Sequence, residues 1–105
     1  MNSFELEIIK AIGKHNPPLL AVLDQLQLSK REFTGAGCFV DFNPLEEPIE
    51  TNTQILDLFG TIHLPDSTQL SAHIEMERGI PKTLEICCLS PKGWNGISEG
   101  FKIEN

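Results

Sequence analysis

The chain has 105 residues, 40% of them apolar, and carries a formal net charge of −7 at pH 7. This length suits one domain, and this apolar share can build a core without the help of metal ions or disulfides. The negative charge opposes binding to nucleic acid and to anionic lipid, and no apolar stretch approaches the length of a membrane span. We therefore expect a single domain over residues 1–105 that binds neither nucleic acid nor membranes.

The N-terminal segment predicts two helices joined by a short connection. Asn2 and Glu5 fit a capping box, an apolar stripe follows at helical spacing, and Gly13 is a typical C-terminal stop. Pro17 suits the first position of a second helix, whose apolar stripe extends to Leu26. Each stripe is narrow, so this helical hairpin needs a broad partner to cover.

Beyond residue 31 the apolar period changes to two, which predicts strands. We expect a first strand at Phe33–Phe42, a surface loop at Asn43–Gln54 and a second strand at Ile55–Leu64. A turn at 65–68 leads into a third strand with the clearest alternation in the chain. On that third strand we expect four buried residues, Leu70, Ala72, Ile74 and Met76, and four more exposed ones, Ser71, His73, Glu75 and Glu77.

Two further strands complete the predicted sheet, one at Leu84–Cys88 and a short closing one at Phe101–Ile103. Trp94 lies in the Gly-rich loop between them, where it would seal an edge of the core. Short turns make neighbouring strands antiparallel, and only the helices can cover the apolar face. The predicted fold is α+β, with an N-terminal helical hairpin packed on one face of a four- or five-stranded antiparallel sheet.

Two glycines, Gly35 and Gly37, share one parity of the predicted first strand, although glycine normally weakens a strand. We expect the helical hairpin to approach the backbone closely there, between the rings of Phe33 and Phe39. A bulge, or a bare backbone for ligand approach, are the alternatives.

Three cysteines, an odd number without C-x-x-C spacing, do not form the closed disulfide set of a small secreted domain. Cys87 and Cys88 are adjacent, so on a strand their side chains point to opposite faces. The first residues also lack the basic start and unbroken apolar run of a secretory signal. We expect a cytoplasmic protein with reduced cysteines and without cofactor or metal.

Histidines and carboxylates share one predicted strand face. If the second and third strands pair through the turn at 65–68, His63 and His73 become opposite or diagonal neighbours on the outward face. Such a group is credible for zinc binding or acid–base work, for a protein-binding face, or as ordinary solvated surface. No nucleophile or anion-binding loop accompanies it, so we assign no catalytic residue and no metal. The candidate binding residues are His63, His73, Glu75 and Glu85.

The segment R-E-F-T-G-A-G-C-F-V-D-F at Arg31–Phe42 resembles a family of small uncharacterised bacterial proteins with an R-E-x-T-G-x-G-x-F-x-x-F segment after two helices. The Leu84-Glu85 pair and Trp94 fit a later part of the same pattern. Cys38 stands where the family usually has an aromatic residue, and no Pro follows Trp94. The resemblance implies a bacterial origin and a shared fold, and it implies no activity, cofactor or catalytic residue.

The uneven distribution of charge favours a protein-binding function. No Lys or Arg occurs between Glu32 and Glu77, a negative stretch that would attract a basic protein, although such charge also serves solubility alone. We expect a non-enzymatic protein-binding module that uses an acidic sheet face or loop, one form being an immunity-type protein that neutralises a basic toxin. The oligomeric state stays open. The alternative is a small metal-dependent or acid–base enzyme using His63, His73, Glu75 and Glu85.

Overall fold

The computed structural model describes residues 1–105 and shows an α+β domain built on a seven-stranded antiparallel sheet. The helices are α1 (Ser3–Gly13) and α2 (Pro17–Ala21), followed by a 3₁₀ turn at Leu23–Gln25. The strands are β1 (Leu28–Phe33), β2 (Gly37–Phe42), β3 (Ile55–Asp57), β4 (Thr61–His63), β5 (Gln69–Glu77), β6 (Ile80–Cys88) and β7 (Lys102–Glu104). Their order is β1-β2-β6-β5-β4-β7, and β3 also pairs with β5. No helix combines the length and the apolar character needed to cross a membrane.

Helix α1 begins and ends where the sequence predicts. Glu5 N donates to Asn2 Oδ1 at 2.8 Å, and Asn2 N donates to Glu5 Oε1 at 3.0 Å, which completes the capping box. The helix ends at Gly13, where a Cβ would lie 2.5 Å from the Leu20 side chain. Glycine therefore lets α2 fold back closely against α1.

The second helix is much shorter than the sequence predicts. The α-helix ends at Ala21, and Asn16 makes no cap bond to it. Instead Asn16 Nδ2 donates to Ile12 O at 2.9 Å, at the end of α1. So short a helix has little stability of its own, and burial of Leu19 in the core holds it in place. The predicted helical hairpin is thus one full helix and a short one.

The predicted first strand is a β-hairpin instead. Gly35 lies in the turn between β1 and β2 with a φ of 81°, which glycine adopts without steric cost. Thr34 N donates to Gly37 O at 2.9 Å and closes the turn. The expected approach of the helices to Gly37 is wrong, because this turn places Gly37 beside β6, where it pairs with Cys87. A Cβ there would overlap the backbone oxygen of Ile86, so the close approach is between two strands.

The predicted second strand is broken into β3 and β4. Phe59 has a φ of 54°, which a bulky residue adopts only where the surrounding structure holds it. At Gly60 a Cβ would overlap the backbone oxygen of Glu104. The break allows β3 and β4 to pair with different parts of β5 while β4 also pairs with β7. The sheet therefore has more strands than the predicted four or five.

The alternation of β5 and the role of Trp94 are confirmed. The apolar residues of β5 are at most 8% exposed, whereas its polar residues are half-buried or exposed. Trp94 packs at the core edge against Phe4 and Phe33, and its Nε1 donates to Ile97 O at 3.0 Å. The buried residues of β5 are Leu70, Ala72, Ile74 and Met76, and its outward residues are Ser71, His73, Glu75 and Glu77.

Candidate functional site

The sheet face opposite the helices carries two rows of side chains, which together define the open face. Residues that pair directly across antiparallel strands project to the same side, so the register determines each row. The first row contains Glu32, Phe39, Glu85, His73 and Asp57, and the second contains Lys30, Asp41, Thr83, Glu75 and Ile55.

Close polar contacts link three side chains on this face. His73 Nε2 lies 3.1 Å from Glu85 Oε2, and Cys87 Sγ donates to Glu85 Oε1 at 3.2 Å. Burial raises the pKa of the Cys87 thiol to about 11, and its hydrogen bond to the Glu85 carboxylate acts in the same direction. Cys87 is therefore a neutral thiol near pH 7, which does not suit a nucleophile.

Glu75 brings a third potential ligand to the same place. It follows His73 by two residues on β5, so both side chains project from one face. Donor atoms of His73, Glu75 and Glu85 all lie within 4.8 Å of one another. Three of the four candidate residues therefore form one group, which we call the His–Glu cluster. An imidazole and two carboxylates can accept hydrogen bonds from a protein or bind a cation.

His63 lies outside the His–Glu cluster. It pairs with Gln69 on β5, whereas His73 pairs with Asp57 on β3. Positions 69 and 73 are four residue steps apart, which corresponds to roughly 13 Å along a strand. The expected pairing of the two histidines is therefore wrong, because the tight turn at 65–68 sets position 63 opposite 69. His63 Nε2 is shielded from solvent without a hydrogen-bond partner and lies 3.9 Å from Glu104 Oε1.

Two apolar side chains flank the His–Glu cluster, and the sequence reasoning missed both. Phe39 is 38% exposed and pairs with Glu85, and Ile55 is 55% exposed and pairs with Glu75. The sequence pattern predicts that Phe39 faces the helices, because it does not reveal the turn at Gly35. Successive residues of a strand point to opposite faces, and Cys38, Val40 and Phe42 are all buried. Their alternation with Phe39 is the signal that places Phe39 on the other face.

Carboxylates outnumber basic groups on the open face. Lys30 and Lys82 lie 3.7 and 3.8 Å from Glu32 and Glu77, as exposed pairs that stabilise the fold little. The other acidic groups of the open face have no lysine or arginine within salt-bridge distance. The carboxylates of the open face and its margin are Glu32, Asp41, Asp57, Glu75, Glu77 and Glu85.

The His–Glu cluster does not lie in a large cavity. A depression of about 270 Å³ contains Glu75 but neither His73 nor Glu85. The largest cavity, of about 500 Å³, lies elsewhere and is lined by Leu64, Pro65, Asp66, Asn95, Ile97, Glu99 and Gly100.

The open face thus combines an acidic character with exposed apolar side chains, and neither cavity described above encloses its His–Glu cluster. A surface of this kind is better suited to binding macromolecules than to enclosing small substrates. Comparison of the chain with protein-family models, curated proteins and solved structures found no match.

Proposed function

We propose that this domain is a non-enzymatic protein-binding module whose open face binds a basic protein. The observation that carries the proposal is the placement of two exposed apolar side chains, Phe39 and Ile55, on either side of the acidic His–Glu cluster. An immunity-type protein that neutralises a basic toxin is one form of such a module.

Apolar anchors within a polar surround are typical of protein interfaces. Aromatic residues are enriched at interface centres, where water is excluded, while polar groups form the rim. Phe39 lies on β2 between Glu32 of β1 and Glu85 of β6, so its ring has acidic neighbours on both sides. A partner would bury this ring and Ile55 in one contact.

The charge of the open face selects the class of partner. Acidic groups repel another acidic protein and steer a basic one, which raises the rate of association at low salt. Residues 32–77, which supply most of these groups, contain no Lys or Arg that could offset them. We therefore infer a partner with a positively charged surface.

Two features support binding over catalysis. The cluster lies outside the largest cavity, so a small substrate would not be enclosed there. The Cys87 thiol, which donates a hydrogen bond to Glu85 of the cluster, is protonated near neutral pH because its pKa is raised to about 11. Neither feature depends on the identity of the partner.

Affinity capture with matched variants tests the proposal. Immobilised wild-type protein, a Phe39→Ala/Ile55→Ala double variant and a Leu20→Ala control are exposed to extract of the source cells. Leu20 is 42% exposed on α2, so its replacement tests whether the helical side of the domain takes part in binding. We expect the wild type and the control to retain one basic protein. The double variant should retain at least about tenfold less of it. Equal retention of the same proteins by all three contradicts the proposal.

A further inference from the structure

We propose that His73, Glu75 and Glu85 form an exchangeable binding site for a divalent transition-metal cation on the open face. This inference does not rest on the protein-binding function, because it concerns the cluster in the isolated chain. It departs from the expectation of no metal. The fold brings Glu85 beside His73 by placing β6 beside β5.

The spacing of the donor atoms fits one ion. Metal–ligand bonds of about 2.0–2.2 Å hold neighbouring ligand atoms roughly 3–4 Å apart. His73 Nε2 and Glu85 Oε2 are already 3.1 Å apart. Glu75 lies within the 4.8 Å limit of the group, and its side chain is exposed, so a rotation about its own bonds can close the remaining gap.

The sheet holds two of the three ligands in place before any ion binds. His73 and Glu85 are directly paired on β5 and β6, two central strands of the sheet. The Cys87 thiol donates to Glu85 Oε1 and so leaves Oε2 turned toward His73. Hydrogen bonds of this kind orient metal ligands and are part of established metal sites.

The donor set selects the class of metal. One imidazole nitrogen and two carboxylates suit Zn²⁺, Co²⁺ or Ni²⁺, whereas Mg²⁺ and Ca²⁺ prefer oxygen ligands alone. Three protein ligands leave at least one position for water. The side chains of His73 and Glu85 are each 25% exposed, which leaves a path for entry and exit. An open site of this kind exchanges its ion rather than retaining it through purification.

Calorimetric titration with Zn²⁺ and Co²⁺ of chelator-treated, dialysed protein tests the site. We expect one equivalent to bind, and His73→Gln and Glu75→Gln each to weaken binding at least about tenfold, since even loss of an outer hydrogen-bond partner costs 10- to 100-fold. The matched controls are His63→Gln and Glu77→Gln, which remove the same groups outside the cluster and should bind as the wild type does. Circular dichroism of each variant verifies the fold.

A second readout separates a site from scattered surface binding. Bound Co²⁺ should broaden or shift the NMR signals of the His73 ring much more than those of the His15 ring, because His15 lies outside the cluster, in the connection between the helices. Wild-type affinity no higher than that of the His73→Gln variant, or equal effects on both rings, overturns the proposal and leaves His73–Glu85 as a side-chain contact only. Because no partner is present, the result is independent of the capture experiment.

Discussion

At the scale of single residues, Glu5 shows how one side chain serves two parts of the fold. It is 2% exposed, and its carboxylate accepts hydrogen bonds from the backbone of Asn2 and from the guanidinium of Arg31, whose Nε lies 2.7 Å from Oε2. The hydrogen bond to Glu5 raises the pKa of Arg31. The capping role could be predicted because it is local, whereas the link to β1 depends on how strand and helix pack.

Replacement of Arg31 should therefore be more costly than replacement of its neighbour. Arg31→Ala leaves the buried carboxylate of Glu5 without its charged partner, and we expect a loss of about 2 kcal/mol in the free energy of unfolding. This lies below the range for a fully buried pair, because the Arg31 side chain is 42% exposed and water can replace part of the contact. Lys30→Ala should change stability by less than about 0.5 kcal/mol. Urea unfolding of both variants measures the difference, and equal losses would contradict the role given to Glu5.

The thiol of Cys87 should react slowly at neutral pH. Its pKa is raised from 9.0 to about 11, so its alkylation rate should rise about tenfold per pH unit until pH 11. The raised value also means that the thiol adds stability below pH 9, and this contribution disappears as the pH rises through 11. Glu85→Gln should lower this pKa and speed alkylation, while Glu77→Gln should not.

Iodoacetamide labelling in a Cys88→Ser background, resolved by peptide mass spectrometry, checks this prediction. The background removes the adjacent thiol, and the peptide masses separate Cys87 from the buried Cys38. If the alkylation rate of Cys87 in the wild type levels off near pH 8, the thiol is already largely ionised close to neutral pH. That result would also remove one argument for binding over catalysis.

At the scale of elements, local signals predicted what local interactions determine. The capping box of α1 and the alternation of β5 could be read from the sequence because caps and side-chain period act over a few residues. The break at Phe59 could not, because a φ of 54° is uncommon for a bulky residue. The hairpin turn at Gly35 was missed because apolar residues continue on both sides of it.

The glycines of this hairpin should respond differently to substitution. Gly37→Ala would press a methyl group against the backbone oxygen of Ile86 and separate β2 from β6, and we expect a loss of about 1–3 kcal/mol. In Gly35→Asn the new side chain would point into open space, and asparagine tolerates positive φ. The loss in the free energy of unfolding should therefore stay below about 1 kcal/mol. Thermal unfolding compares the two, and a Gly37→Ala variant as stable as the wild type would show that the strands are not in close contact there.

At the scale of the whole molecule, helices cover one face of the sheet and leave an acidic one open. The sequence predicted the acidic character and three residues of the cluster, since charge and strand parity are visible in it. It did not predict the place of His63, because pairing register depends on turn length. It also did not reveal that Phe39 and Ile55 are exposed beside the cluster, because their neighbours come from strands distant in sequence.

The most direct test of the central claim maps the partner onto this open face in living source cells. A photo-crosslinking phenylalanine analogue is placed at position 39, on the open face, or at position 20, on the helical side. We predict a crosslinked basic protein from position 39 and none from position 20, and a weaker crosslink at raised salt in lysate, since salt screens the acidic groups. The same protein crosslinked from position 20 alone, or no crosslink from position 39, would contradict a binding function for the open face.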